Sequence, residues 1–557
     1  MLHSPIVSHS HTPPLLVFAH SPPPSPSFAM TTIVDLPEEI YILIAKHLTI
    51  RSLHSCIRTC HSFYSSFIPH LWPYVHLSTL ELESTIPPAH VRANAHHIKS
   101  VSLHPVLTEE YYNIVFPRLQ KLKMDNYSSD STSVDYLTVK PLHKVLFVRQ
   151  HPFVRKLVYR HKDLLPKEFW EIIGATWTRL EVLEFEGTVE EGVEDAFLGV
   201  CDRVQDLSLT SVDFSGYNNA LASLSTLSFR RLCRVKVEQQ RWRTKEPYQE
   251  WPLRLLESVK RSQKLTWLCW NVSTAAFPFQ MVQDAFMEAC WPELCEFCIG
   301  KFICSEEDLT RILTMLPSRR LTSFVRDSEK FSSLTFNCLR DHYFGHLREL
   351  DLGRCSSVTS AMVQEVMTEC VHLVVLDAFH VFVRDVATAQ KPWVCLGLER
   401  LTLYFAKQRG DAAEWEGLVF QQISRLCRLL MLNLRRDPHF TLFDDEPRSN
   451  VIMDLKTLDL RLPRNSDRNG LAGSCQNGGS SSGSDDIRCW SSLARLITFS
   501  FDADRHTLGM DELVWMIENW RDLRHVDGEF KAIEGEECTR RDRILREADL
   551  EVEPWDI

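Results

Sequence analysis

Two hydrophobic rhythms run along this chain, and the change from one to the other divides it. Over residues 35–48, DLPEEIYILIAKHL, apolar side chains fall at Leu36, Ile40, Leu43, Ile44 and Leu48. Ile40, Ile44 and Leu48 are four apart and make one stripe on a helix. Asp35 can cap that helix with Glu38 three residues on, and Pro37 suits its first turn. Glu38 and Glu39 complement its positive end. A second face (Leu53, Cys56, Ile57, Cys60) and a cluster of Phe63, Tyr64, Phe67, Leu71 and Trp72 predict two more short helices. A helix of about a dozen residues is marginal alone. Three of them in about 40 residues bury little surface, so the module is expected to lean on a partner.

From residue 98 the rhythm becomes apolar, two others, apolar, one other, apolar. It reads IKSVSL at 98, LQKLKM at 119, VRKLVY at 154, LEVLEF at 180 and VQDLSL at 204. LCRVKV at 232, LTWLCW at 265, LCEFCI at 294, LTSFVR at 321, LRELDL at 347 and LVVLDA at 373 follow. LERLTL at 398, LLMLNL at 429, LKTLDL at 455, LITFSF at 496 and LRHVDG at 523 complete the series, those at 321 and 523 being imperfect. Most starts are about 24–29 residues apart, within the range of leucine-rich repeats. The last two apolar positions alternate along a strand and point into a core, which the first also enters. One unit cannot cover its own apolar face, but its neighbours can. The prediction is an α/β solenoid with parallel strands on the concave side and helices on the convex side. LRELDLGRCSSVTSAMVQEVMTECVH, 347–372, is the clearest unit, with Met362, Val363, Val366 and Met367 expected to face inward. The strand-like cores argue against an all-helical solenoid.

Polar segments break the period at 128–135, 239–252 and 464–486; the last is Gly/Ser-rich and stretches one spacing to about 41 residues. The expected organisation is a disordered Pro/Ser/His-rich tail at 1–30, the helical module at 31–80, the solenoid at 90–530 with a disordered insertion at 464–486, and a cap and tail at 531–557. The first 30 residues contain no Lys or Arg and fit neither a secretory signal nor a transit peptide. Met30, just before the helical module, is an alternative start of translation.

LPEEI, then Ile44, Leu48, Leu53, CIRTCHSFY and the closing HLW resemble an F-box over residues 35 to about 75. The sequence departs from that family at Phe63, where a Trp is common; Phe keeps the aromatic volume. The unit at 347 resembles the cysteine-containing leucine-rich repeats often found behind an F-box. The resemblance implies docking on a Skp1-like adaptor and through it a cullin, with Leu36, Pro37, Ile40, Ile44, Leu48, Leu53 and Ile57 forming or supporting the contact. It implies a substrate-recognition subunit of an SCF-type E3 ubiquitin ligase, which holds a target protein while a RING–E2 partner does the chemistry. The alternative is a leucine-rich-repeat interaction scaffold outside any ligase.

A net charge of −11 and a pI near 6.1 argue against nucleic acid as a partner. Seventeen cysteines at irregular spacing read as reduced thiols of a cytoplasmic or nuclear protein. No apolar run reaches the roughly 18 residues of a membrane span. P-loop, G-x-S-x-G, H-E-x-x-H and kinase signatures are absent from the sequence, so no enzyme is expected. Cys56, Cys60 and His61, and the denser Cys290, Cys295, Cys298 and Cys304, are the groups whose residue types could ligate a metal. The alternation puts Cys298 on the concave face and Phe297 and Ile299 inside, which does not converge four ligands; neither metal nor cofactor is expected. The third, fifth and seventh positions of each unit face the concave surface. They align Phe379, Tyr404, Arg435 and Arg461 in a stripe, with Arg400 beside it. Aromatic and Arg side chains are enriched at binding hot spots, and an acidic or phosphorylated segment would pair with the arginines.

Overall fold

The computed structural model describes residues 36–77, 86–104, 107–125, 141–160, 164–215, 217–239, 251–272, 279–288, 290–300, 305–316, 320–326, 331–389, 391–407, 414–434, 451–452, 493–501, 507–508, 510–527, 529–530, 543–545 and 551–552. The chain forms two compact units that meet between Pro73 and Tyr74.

The first unit holds helices α1 (Glu38–His47), α2 (Ile50–Ile57) and α3 (His61–Leu71). Pro37 stands at the N-cap of α1 with no side-chain cap bond, two residues after the cap that the sequence suggests, Asp35, which lies outside the described residues. Thr49 caps α2 by accepting the Ser52 N–H at 3.1 Å, and the Cys60 sulfur caps α3 by accepting the Phe63 N–H at 3.5 Å. Tyr41, Ala45, Leu53 and Phe67 form the core, with Leu36, Ile44, Leu48, Cys56, Ile57, Phe63 and Leu71 packed on it. The rings of Tyr41, Phe63 and Phe67 meet edge to face, 5.5 to 6.2 Å apart. The inward face of α1 therefore centres on Tyr41 and Ala45. The large Tyr41 ring fits the aromatic slot, and Ile40 is turned outward.

In the second unit every motif from 98 to 523 becomes a strand that starts two residues in, apart from LKTLDL, which lies outside the described residues. Its strands run β1 (Tyr74–Leu77), β2 (Ser100–Leu103), β3 (Lys121–Asp125), β4 (Lys156–Arg160), β5 (Val182–Val189), β6 (Asp206–Phe214), β7 (Arg234–Gln239), β8 (Trp267–Val272), β9 (Glu296–Ile299) and β10 (Ser323–Arg326). They continue with β11 (Glu349–Leu352), β12 (Val375–Phe382), β13 (Arg400–Lys407), β14 (Met431–Leu434), β15 (Val451–Ile452), β16 (Thr498–Phe501), β17 (Thr507–Leu508), β18 (His525–Asp527), β19 (Glu529–Phe530) and β20 (Glu551–Val552). Eighteen of them make one sheet, parallel throughout except where β15 pairs antiparallel with β13; β17 and β19 pair separately. From β1 to β14 each strand pairs with the next in sequence, and then β14 pairs with β16, β16 with β18 and β18 with β20. Helices connect most successive strands, which is what parallel strands require. The segments 1–30, 128–135, 240–250 and 464–486 lie outside the described residues.

The fourth motif position makes a continuous inner ladder. Val101, Leu122, Leu157, Leu183 and Leu207 are register partners in turn, and the line continues through Leu350, Leu376, Leu401 and Leu432 to Phe499 and Val526. All of these are buried, each contributing roughly 1.5–3 kcal/mol of burial. The imperfect motif at 321 forms its strand all the same and buries Arg326 at the inward sixth position. In the helix Ser360–Glu369, Val363, Val366 and Met367 are buried as expected, whereas Met362 is half-buried and Ser360 and Gln364 are buried instead. Gln364 is drawn in because its Oε1 accepts the indole N–H of the buried Trp393 at 3.0 Å.

A further core position, three residues before each motif, forms the seam between repeats. Phe116, His151, Trp177, Cys201, Ser262, Trp291, Cys370, Cys395 and Trp520 all occupy it and all are buried. Its polar members reach back to backbone groups of an earlier unit. Trp177 donates to the Val148 carbonyl at 3.0 Å, Ser262 to that of Leu232 at 2.6 Å, and Trp291 to that of Val259 at 3.1 Å. Burial pushes up the thiols of Cys201, Cys370 and Cys395, the last to about 12. These cysteines behave as small apolar wedges.

Candidate functional site

On the helical unit, Ile40 is 38% exposed, Leu43 52% and Ile50 72%. They stand on α1 and at the start of α2, outside the core that Tyr41, Ala45, Leu53 and Phe67 complete. Of the residues expected at the adaptor contact, Pro37 and Ile40 are exposed, Leu36, Ile44, Leu48 and Ile57 are half-buried against the core, and Leu53 is buried and supports the others from beneath. Leu43 and Ile50 were not among them. Their signal in the sequence was an apolar residue left over once each helix has filled its inner face. Cys60 serves as a helix cap and Cys56 packs on the core.

The solvent-facing side of the sheet carries the third, fifth and seventh motif positions. Glu184 takes the Lys156 ammonium at 2.5 Å and the Arg160 guanidinium at 2.9 Å. Burial raises its carboxyl pKa, but these two cations outweigh burial and hold it below the usual range. The Arg234 guanidinium lies 4.5 Å from the Trp267 ring centre and also meets Glu296 at 3.4 Å. Lys236 pairs with Glu238 at 2.7 Å; burial lowers its pKa, and the pairing more than offsets this. Cys269 on β8 and Cys298 on β9 are register partners whose sulfurs are 3.0 Å apart. Their mutual hydrogen bond, and then burial, push the Cys298 thiol far above its ordinary value. The sequence pattern placed Cys298 on this face, but Cys269 went unremarked because its partner lies one repeat away. Cys290 and Cys295 interact instead with Glu288 and the Thr266 carbonyl, and Cys304 lies outside the described residues. Among the described residues no three His, Cys, Asp or Glu side chains gather as metal ligands would.

Two glycines at the seventh position make room for neighbouring side chains. A Cβ on Gly300 would fall 2.0 Å from the Asn271 Oδ1 and 2.5 Å from the Asn271 Cβ, and one on Gly353 would fall 2.3 Å from the Asp377 Oδ1. The Asn271 Cβ is fixed to its backbone and cannot swing away. Gly300→Ala should therefore destabilise the solenoid by about 1–3 kcal/mol, read as a lower urea midpoint. An unchanged midpoint would show that the two strands part at no cost.

Arg400 is exposed on β13, and Phe379 and Tyr404 lie within β12 and β13. A register shift between Asp377 and His380 sets Tyr404 opposite His380, so Phe379 and Tyr404 are not the direct partners that regular spacing implies. An extra residue in one strand has this effect. Arg435 and Arg461 lie outside the described residues.

Fold and surfaces together define a helical F-box module followed by an α/β repeat solenoid. The chain carries an F-box-like domain, the family whose model matches residues 33–78. No curated protein sequence matches the chain. Among solved structures it is similar to the complex of Rad7 and Elc1 from yeast, with 14% identity, 65% of this chain and 92% of that chain covered, and a TM-score of 0.36. It is also similar to the Toll–Spatzle complex from Drosophila, with 11% identity, 78% and 54% covered, and a TM-score of 0.29. Among the described residues no helix is long and apolar enough to cross a membrane.

Proposed function

We propose that this protein is the substrate-recognition subunit of an SCF-type E3 ubiquitin ligase. The F-box-like unit binds a Skp1-like adaptor and through it a cullin, and the solenoid, read as leucine-rich repeats, binds a target protein. The observation that carries this reading is the exposed apolar surface of Ile40, Leu43 and Ile50 on a module of that family whose own core is already filled. The chain acts by holding rather than by catalysis: tethering a target lysine near the ubiquitin-loaded partner raises its effective concentration. We place it in the cytoplasm or nucleus, in keeping with the free cysteines among the described residues. The target side is assigned to the residues that the repeat pattern aligns on the open face of the sheet, Phe379, Arg400, Tyr404, Arg435 and Arg461.

The test is co-purification of adaptor and cullin with the intact chain and with Ile40→Glu/Leu43→Glu. Losing one apolar anchor worth about 2 kcal/mol weakens binding about 30-fold, so the double variant should lose at least that much adaptor affinity, while proteins held by the solenoid stay bound. Adaptor capture equal to that of the intact chain would overturn the assignment. Adaptor capture without any cullin would favour the scaffold reading.

A further inference from the structure

We infer that Cys269 and Cys298 are an oxidisable pair that closes into a disulfide between neighbouring repeats on the open face of the sheet. The two residues are direct register partners on parallel strands. Adjacent strands are about 4.8 Å apart, inside the window of about 4.4–6.8 Å between Cα atoms that a disulfide spans. Both side chains leave the same face, and their sulfurs are already 3.0 Å apart. Closing to the bond length of about 2 Å needs a sulfur shift of roughly 1 Å, which side-chain rotation can supply without moving the ladder beneath. Cys370 and Cys395 also interact, but both, like Cys201, are buried in the seam away from an aqueous oxidant, whereas Cys60 and Cys427 stand exposed.

The positions of the two residues give them different roles. Cys298 is half-buried and Cys269 is 5% exposed, so a small oxidant meets Cys298 first. The Cys269 hydrogen bond, burial and Asp351 favour the protonated Cys298 thiol, and Lys236, the register neighbour of Cys269, opposes them, so oxidation is slow and runs through the minor thiolate. With a peroxide as oxidant, the Cys298 sulfur attacks one peroxide oxygen, the O–O bond breaks, and water leaves, giving a sulfenic acid. The Cys269 sulfur then attacks Cys298, the S–S bond forms, the S–O bond breaks, and a second water leaves. Two thiols are oxidised and one peroxide is reduced. The bond would stitch β8 to β9 beside Arg234, Trp267 and Asn271 on the same face. The inference stands on this geometry and not on the assignment of a ligase role.

The experiment treats the folded full-length chain with hydrogen peroxide, blocks residual thiols with an alkylating agent and maps peptides by mass. The expected result is a Cys269–Cys298 cross-linked peptide as the principal disulfide, with two of the 17 thiols lost and both regained after reduction. Cys298→Ser should abolish the cross-link and leave Cys269 as a free thiol. Cys269→Ser should trap Cys298 as a sulfenic acid, read with a dimedone probe. The inference is overturned if the cross-link does not form while Cys60 or Cys427 is oxidised, or if Cys298 joins another cysteine in the folded protein.

Discussion

Trp291→Ala should lower the unfolding free energy of the solenoid by about 3–5 kcal/mol, the cost of removing a large buried aromatic. Trp291 is 1% exposed and sits in the seam three residues before its motif. Its ring packs edge to face on Phe286 with centres 5.4 Å apart, and its indole N–H donates to the Val259 carbonyl at the end of the previous repeat's helix, Trp251–Val259. Alanine removes both the volume and the bond. Trp291→Phe removes the donor and part of the ring, leaves a buried carbonyl without this partner, and should cost less, about 1–3 kcal/mol. Because repeats are held by their neighbours, the loss should spread beyond one unit. Urea unfolding followed by circular dichroism measures both variants. If alanine costs under about 1 kcal/mol, the seam is not what joins the repeats.

The same seam should make the protein sensitive to acid through His151. The ring is buried, with Nε2 accepting the Phe116 N–H at 2.9 Å and Nδ1 donating to the Phe147 carbonyl at 2.6 Å. That pattern requires the neutral imidazole, because Nε2 must keep its lone pair. Burial lowers the pKa from 6.5 to about 4, with the bond to Phe147 acting the other way. Above pH 6.5 the ring is neutral both folded and unfolded, and its stabilising contribution is complete. As pH falls from 6.5 towards 4 the unfolded chain takes up the proton first, and stability is lost across that window. Each pKa unit corresponds to about 1.4 kcal/mol, so the loss is on the order of 3 kcal/mol. His151→Asn should be less stable at neutral pH and should flatten this part of the pH dependence. Urea midpoints between pH 7 and 4 test it; parallel curves for the two proteins would remove His151 as the cause.

What could be read from the residues follows from how local each feature is. A strand's alternation shows in six consecutive letters, so LRELDL and LERLTL disclosed both the strands and their inward ladder. The seam was harder to see. Phe116, His151, Trp177, Cys201 and Ser262 share neither size nor polarity, and only stacking reveals that each fills the same gap. The position is defined by what the preceding repeat leaves empty. Which side chain of α1 fills its own core was hidden for a similar reason. Ile40 and Tyr41 both favour burial, and the slot between Phe63 and Phe67, on another helix, decides between them.

By itself the sequence determined the two modules, the repeat and its register along the chain, because burial of periodic apolar residues depends on spacing alone. Tertiary structure decided which residues meet across repeats, Cys269 with Cys298 and Trp291 with Val259, and set the backbone of Tyr404 opposite that of His380. Those partners lie more than twenty residues apart, and one inserted residue in a strand is enough to change them. The spacing of letters measures distance along the chain, whereas contact is set by how neighbouring turns of the solenoid pack.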